Sequence, residues 1–428
     1  RAGHSFGVSS QGKKIMATVK VRLGLPSEGG RQGTVFYQVT HRSRTRRIST
    51  SIRLAAEDWD AAGCRVKARA GHAEDGAPVP RGGRYRMEPS SLQDRIDSGL
   101  VRLRLITRHL DGLRKDYSID DIIHRYESGN DCSSVLSFMD VRIAELSAAG
   151  KQGTARNYTR AKDSLARYLG GDDIPFIAMT ADFVAGYALF LEKRGVVRNS
   201  VSFYMRILRA VYNSAVRHLF VEQTYPFSDV YTGVDRTVKR AVRESVVSRL
   251  FRLDLSRSAG LSLARDLFIF SYCTRGMAFV DMAYLRKDDI RGGSIHYVRR
   301  KTGQPLCVRM EPCIRQIVDR YADRSEVYVF PILKSENPEK TYARYQVALN
   351  YYNRQLKQLG RMLHLDSGLT SYVARHSWAT AARNHNIPVS VISAAMGHQS
   401  EKTTQIYLAM LEDSVIDSAN QEIISCLK

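Results

Sequence analysis

Three residues near the C-terminal end, Arg375, His398 and Tyr407, stand in the string "TSYVARHSWAT…MGHQSEKTTQIY" in an order that suits one kind of chemistry. A phenol can attack phosphorus while N–H donors hold the non-bridging oxygens, so that charge building in the transition state is neutralised by the protein itself. Arg375 offers a planar fork able to bind two phosphate oxygens at once. His398 follows Gly397 in a turn and Tyr407 comes nine residues later. A tyrosine near a C-terminal helix is ordinarily packing, and a turn histidine can be a helix cap. The preceding Gly397-His398 and Thr403-Thr404 tip both readings toward chemistry. The set points to cleavage and transfer of a DNA strand.

Composition agrees with such a partner. The 428 residues suffice for two or three domains, and 43% hydrophobic residues supply ordinary cores, which excludes a disordered chain. Lys and Arg number 65 against 43 Asp and Glu, a formal charge of +22 suited to a polyanion. No run reaches the ~18 apolar residues of a membrane span, and no signal-peptide pattern is present, so cytoplasmic residence is expected. The cysteines Cys64, Cys132, Cys273, Cys307, Cys313 and Cys426 are scattered without metal-ligand spacing. Reduced thiols are expected, with neither zinc nor a disulfide. Residues 1–15 precede a strand-like pattern opening at Met16 and read as a native lead-in or an expression remnant.

The elements that must position these residues fall into blocks. From 16 to 66, "ATVKVRLGL", "GTVFYQVTH" and "RRISTSIRL" alternate apolar and polar residues between turns, predicting a small three-stranded sheet. Arg31, Arg42, Arg44, Arg46, Arg47 and Arg53 crowd this stretch around Phe36 and Tyr37, with no acid among them. A solvated face is the bland reading; the missing carboxylates favour a β-ribbon laid in a DNA groove, with Arg42, Arg44, Arg46 and Arg47 as contacts. Residues 67–133 comprise a Gly/Pro/Arg-rich linker and coupling helices, with Leu92, Ile96, Leu100, Leu103 and Ile106 on one stripe and a Ser118 cap. Amphipathic helices at 134–149, 152–169, 180–194 and 198–218 form a helical domain over 134–235. Its apolar stripes are core, while Arg198 and Arg206 are candidates for phosphate contacts, as is Arg240 in the basic connection that follows. From 236 to 428 the pattern is mostly helical, interrupted by "GGSIHYVRRKTGQPLCVRM", which alternates like a hairpin with a Lys-Thr-Gly turn. The fold class is therefore mainly α with small β-sheets: a β-rich N-terminal domain, a helical middle domain and a mixed, mostly helical C-terminal one.

The strings "LARDLFIFSYCTRGMAFVDMAYLRKDDI", "YVRRKTGQPLCVRM" and "LTSYVARHSWATAARNHNIPVSVISAAMGHQSEKTTQIYLAML" resemble the catalytic domain of the tyrosine recombinase (phage integrase) family. The layout is similar to that of integrases of conjugative transposons and other mobile elements in Bacteroidetes, with an arm-type DNA-binding domain at 16–66 and a core-type one at 134–235. The resemblance implies that Tyr407 forms a 3′-phosphotyrosyl bond and frees a 5′-hydroxyl, that Arg375 and His398 hold the phosphate, and that Lys301 protonates the leaving oxygen. It implies a Holliday junction intermediate, a homo-tetramer on two DNA duplexes and accessory bending or excision factors, with no ATP, metal or other cofactor.

Two positions depart from the family pattern. Ala278 stands where its first catalytic arginine is expected, and Arg275, about one helical turn earlier, is the candidate replacement. Tyr372 takes the first position of the family's HxxR motif; a phenol with pKa of about 10 donates to phosphate but is a poor base at neutral pH. His376, one step around the helix, is expected in packing. Asp281 falls where the family carries an acid. These departures leave room for a catalytically defective DNA-binding relative. A DNA invertase of the same family and a type IB topoisomerase would use the same chemistry, and the arm-like sheet argues against the topoisomerase.

Overall fold

The computed structural model describes residues 16–26, 32–67, 92–113, 116–128, 134–235, 241–333, 338–398, 400–407, 420–421 and 423–425. The lead-in at 1–15, most of the 67–90 linker, Arg31 and Arg240 lie outside them. The chain divides into two compact units, Arg1–Asp235 and Arg236–Lys428.

In the first unit, β1 (Thr18–Gly24), β2 (Gln32–His41) and β3 (Arg44–Ala55) form the expected antiparallel sheet in that order, followed by a two-stranded antiparallel pair, β4 (Trp59–Asp60) and β5 (Arg65–Val66). Period-two alternation sends Val35, Tyr37 and Val39 inward, where they meet Ile96, Leu103 and Ile106 of α1 (Leu92–Gly112) and Ile122 of α2 (Ile119–Glu127). The Tyr37 hydroxyl donates to Ile96 O at 3.0 Å, so this buried phenol is satisfied. Helix α2 starts at a capping box in which Ser118 Oγ accepts from Asp121 N at 3.2 Å and Asp121 Oδ2 accepts from Ser118 N at 2.7 Å.

The helices α3 (Val135–Ala148), α4 (Gln152–Leu169), α5 (Ala181–Lys193) and α6 (Arg198–Arg217) follow. Helix α3 takes its cap from a distant residue: Asp173 accepts from Leu136 N at 2.7 Å and Ser137 N at 3.0 Å, satisfying donors that a helix start leaves open. Arg102 of α1 is buried, with its guanidinium 5.0 Å from the Tyr126 ring centroid and 4.7 Å from that of Phe220. Such desolvated cation–π contacts are worth about 2 kcal/mol, and they join the α1–α2 layer to the end of the helical domain.

The second unit is built around α8 (Ala259–Cys273), whose Leu267, Phe268, Ile269 and Phe270 are all buried. A helix apolar on every side belongs in a core, and each such side chain contributes roughly 1.5–3 kcal/mol on burial. The one acid on this helix, Asp266, is neutralised by Arg265 Nε at 2.9 Å and Arg320 Nη1 at 2.6 Å and accepts from the Tyr321 hydroxyl at 2.7 Å. Around α8 stand α7 (Glu244–Phe251), the short α9 (Phe279–Ala283), α10 (Pro312–Arg320), α11 (Pro338–Met362) and α12 (Val373–Asn384), while α13 (Val389–Ala395) and α14 (Glu401–Tyr407) pack on α12 and on each other. The expected hairpin is β7 (Ser294–Val298) and β8 (Pro305–Arg309), extended by β6 (Ile290–Arg291) into a three-stranded antiparallel sheet. Cys64, Cys273, Cys307 and Cys313 are free thiols, and Cys132 and Cys426 lie outside the described residues. Among the described residues no helix is long and apolar enough to cross a membrane.

Candidate active site

The site is assembled at the ends of elements. Helix α8 stops in two successive left-handed residues, Arg275 (φ 60°) and Gly276 (φ 76°), with Gly276 N donating to Ser271 O at 2.7 Å. The reversal lays Gly276 against Arg375 in the first turn of α12. A Cβ added to Gly276 would sit 2.6 Å from Arg375 Cγ and 2.8 Å from its Cα, so only glycine fits the approach as well as the dihedral.

Arg375 is 3% exposed. Its Nη1 donates to Gly276 O at 2.7 Å and its Nη2 to Met396 O at 2.6 Å, while Nη2 also lies 2.9 Å from His398 Nε2. Arginine can only donate, so Nε2 accepts and the neutral imidazole carries its proton on Nδ1. That proton is donated to Thr404 Oγ1 at 2.8 Å. His398 itself is placed by Gly397, whose φ of 65° turns the chain out of α13, and by its own N–H to Ser393 O at 3.0 Å. Burial first, and then the charges of Arg375, Arg299 and Lys301, press the imidazole down to about 4, so it is neutral at physiological pH.

The β7–β8 turn closes one side. Lys301 is exposed at its tip, and its charge reaches His398. Arg300 N donates to Asp281 Oδ1 of α9 at 2.9 Å, tying the turn to that helix. Asp281 is buried and raised above the usual carboxylate range by desolvation, against the opposing pull of the Arg300 N–H bond and of Arg299 and Arg375. Tyr297 of β7 packs toward the same place. Desolvation and the Asp281 charge push its phenol up to about 12.

Arg375, His398 and Lys301 are thus brought together. Arg275 stands at the end of α8 with Nη1 3.3 Å from Cys307 O of β8. Ala278 is the N-cap of α9, with φ −70° and ψ 150°. Tyr372 is the N-cap of α12, largely exposed, with its ring 6.0 Å from that of half-buried His376. Tyr407 closes α14, and its side chain lies outside the described residues.

Sequence reasoning assigns no role to Arg299 or Thr404. Arg299 is 4% exposed and its Nη1 donates to Gly397 O at 2.7 Å. The signal that could have found it is parity: Ile295, Tyr297 and Arg299 alternate along one inward-facing side of the hairpin, and an arginine in that series has to meet something polar inside.

The basic hairpin of the first unit departs from expectation. Arg42 Nη2 meets Asp116 Oδ1 at 2.6 Å, and Arg46 Nε lies 3.7 Å from Asp120 Oδ1. Carboxylates absent from the local sequence arrive from the chain entering α2. Arg44 and Arg46 share the parity of buried Ile48, whereas Arg47 falls on the opposite face, its guanidinium 5.0 Å from the Phe36 ring centroid. Among the candidates on α6, Arg198 lies 3.6 Å from Asp235 Oδ2 and 4.0 Å from the Tyr231 ring centroid, and Arg206 also bears on Tyr231 by its charge.

Comparison with known families matches residues 134–230 to the phage integrase SAM-like domain and residues 242–413 to the phage integrase family. The chain belongs to the phage integrase family. Arg375, Lys301, His398 and Tyr407 all lie inside the second match. Among solved structures, a lambda integrase dimer bound to a COC′ core site is 14% identical with a TM-score of 0.50, over 64% of this chain and 95% of that one, which shows a shared fold. A Tn1549 transposon integrase in complex with transposon right end DNA is 15% identical with a TM-score of 0.46, over 68% and 99% respectively. No curated protein gave a significant match. As a phage integrase family member, the chain is a tyrosine-type recombinase.

Proposed function

We propose that the chain cuts and rejoins DNA at specific sites, integrating and excising a mobile element through a 3′-phosphotyrosyl intermediate and a Holliday junction. The observation that carries this reading is the buried contact between Arg375 and His398, 2.9 Å apart, beside the turn bearing Lys301. Tyr407 attacks phosphorus, Arg375 and His398 hold the non-bridging oxygens, and Lys301 protonates the departing 5′-oxygen. Arg275 adds positive charge at the rim, and Tyr372 can donate to the same phosphate. The phosphotyrosyl ester conserves the energy of the broken bond, so religation needs no ATP.

The Arg375–His398 contact gives the first step a requirement. His398 Nε2 now accepts from Arg375, so it cannot also donate to phosphate. An arriving phosphate oxygen competes for the same Arg375 N–H and, by its negative charge, favours protonation of the imidazole. The site is thereby drawn into its donating form by the substrate.

Duplex DNA is the partner, met by the sheet at 16–66 as an arm-type domain and by 134–235 as a core-type domain, with 67–133 between them and the catalytic domain from 236. Family membership favours a homo-tetramer on two duplexes, with accessory bending or excision factors, acting in the cytoplasm on the nucleoid. Ala278 favours one competing reading, a DNA-binding relative that has lost cleavage. The two separate on covalent trapping: wild type and Tyr407→Phe are incubated without added metal with nicked duplexes bearing the element's junctions. A denaturant-resistant protein–DNA band from the wild type alone supports the recombinase. Tight binding without a band supports the defective relative.

A further inference from the structure

We infer that Arg299 supplies the cation that Ala278 lacks, binding the scissile phosphate beside Arg375. The inference rests on the recombinase reading and adds to it a residue for which the family resemblance gives no role.

Arg299 is a buried arginine inside the cluster. The residue is 4% exposed, and its guanidinium makes one hydrogen bond among the described residues, from Nη1 to Gly397 O at 2.7 Å. A guanidinium has five N–H donors, so most of this fork is uncommitted. A mostly buried cation with spare donors is suited to an anion. Its surroundings fix where the anion would be. Gly397 is the residue before His398, and Lys301 is two residues after Arg299 on the same turn. The neighbouring Arg300 N is bonded to Asp281, one helical turn beyond Ala278. The turn thus carries Arg299 to the part of the site that a longer side chain at position 278 would have entered. The charge of Arg299 acts on both His398 and Asp281, so it lies near both the proposed phosphate ligand and α9.

Arg275 is less well placed for the same task. Its backbone is in the left-handed region, which costs a non-glycine residue about 1–2 kcal/mol, and its Nη1 rests on Cys307 O of β8. Arg299 and Arg375, by contrast, hold the carbonyls of the adjacent residues Gly397 and Met396. The two guanidiniums therefore flank the turn that presents His398.

The test compares Arg299→Gln, Arg299→Lys and Arg275→Gln with wild type in covalent adduct formation on a nicked duplex. The scissile group is either an ordinary phosphodiester or a methylphosphonate, which lacks one negative charge. Binding is measured by mobility shift and folding by thermal denaturation. On the phosphodiester, Arg299→Gln is expected to slow adduct formation by roughly 10²- to 10³-fold with DNA affinity kept within about threefold, and Arg299→Lys to recover part of the rate. On the methylphosphonate, where there is less charge to neutralise, the gap between Arg299→Gln and wild type is expected to shrink to about tenfold or less. An arginine that merely held Gly397 would be missed equally on both substrates, so an unchanged gap overturns the assignment. A wild-type rate for Arg299→Gln overturns it too, as does a gap that collapses for Arg275→Gln instead. If wild type forms no adduct on either substrate, the recombinase reading has failed, and this inference with it.

Discussion

His398 Nδ1 donates to Thr404 Oγ1 across 2.8 Å, and both residues are buried. The contact joins His398, the proposed phosphate ligand, to α14, the helix that ends in Tyr407 three residues later. It also fixes which imidazole nitrogen faces Arg375. Thr404→Val keeps the shape but leaves a buried N–H without its acceptor, at about 1–3 kcal/mol, and frees the ring to change tautomer. Adduct formation by Thr404→Val should fall about tenfold or more while Thr404→Ser stays near wild type, because the serine hydroxyl can still accept. Equal rates for the valine and serine variants would show that the hydroxyl does nothing for the site.

The pH dependence of stability carries a signature of the same histidine. His398 is lowered from 6.5 to about 4 in the folded chain, so the unfolded state binds more protons between those values. Its contribution to stability is complete above about 6.5 and is lost as pH falls toward 4. Asp281, raised by burial, opposes this on the acid side, because its carboxyl gains a proton more readily when folded. The difference between wild type and His398→Gln isolates the histidine. Thermal midpoints recorded from pH 7 to pH 4 should fall more steeply for the wild type, and parallel curves would refute the shift.

Gly276 faces two demands at once, a left-handed backbone and contact with the Arg375 backbone and side chain. Gly276→Ala violates both and should destabilise the second unit by about 1–3 kcal/mol. More telling is its expected effect on function: Arg375 must move, so adduct formation should be lost while binding through residues 16–235 persists. A mobility shift at wild-type affinity from a variant that forms no adduct is the outcome expected. Wild-type cleavage would mean that the turn can retreat from Arg375 at no cost.

Much of this site is legible in the amino-acid sequence. Arg375, His398 and Lys301 are recognisable because their neighbours, such as Gly397 and the Lys-Thr-Gly turn, are demanded by local backbone geometry and leave a mark in sequence. The sheet, the four helices of the middle domain and the β7–β8 hairpin are equally plain, since hydrophobic periodicity is a local property. What stays hidden depends on pairings between distant segments. Nothing near Arg42 announces that Asp116 will pair with it, and nothing near α3 announces that Asp173 will cap it. Strand parity marks Arg299 as inward-facing, but its partner, the Gly397 carbonyl, comes from a distant segment and is set only by the fold.

The open face of the N-terminal sheet gives the last prediction, and it differs from the one that the clustering of arginines suggests. Alternation puts Lys20, Arg22, Arg47 and Arg53 on the side turned away from α1 and α2. Cross-strand register aligns Lys20, Gln38 and Arg47 in one row and Arg22, Phe36 and Ser49 in the next. This face carries cations and hydrogen-bonding side chains suited to phosphate and base edges, with no carboxylate among its described residues. Arg42 and Arg46 lie by the other face, already paired with Asp116 and Asp120. Glutamine at Arg22, Arg47 or Arg53 should weaken arm-type DNA binding and lower the slope of log affinity against log salt by about 1 for each phosphate no longer neutralised. Arg42→Gln and Arg46→Gln should change both far less, because these arginines are already committed to carboxylates and lie by the other face. Fluorescence anisotropy across a salt series orders the variants, and larger losses at Arg42 and Arg46 would move the DNA to the hairpin tip. Cleavage of a short core-type substrate, which the sheet need not touch, should be unchanged in all five.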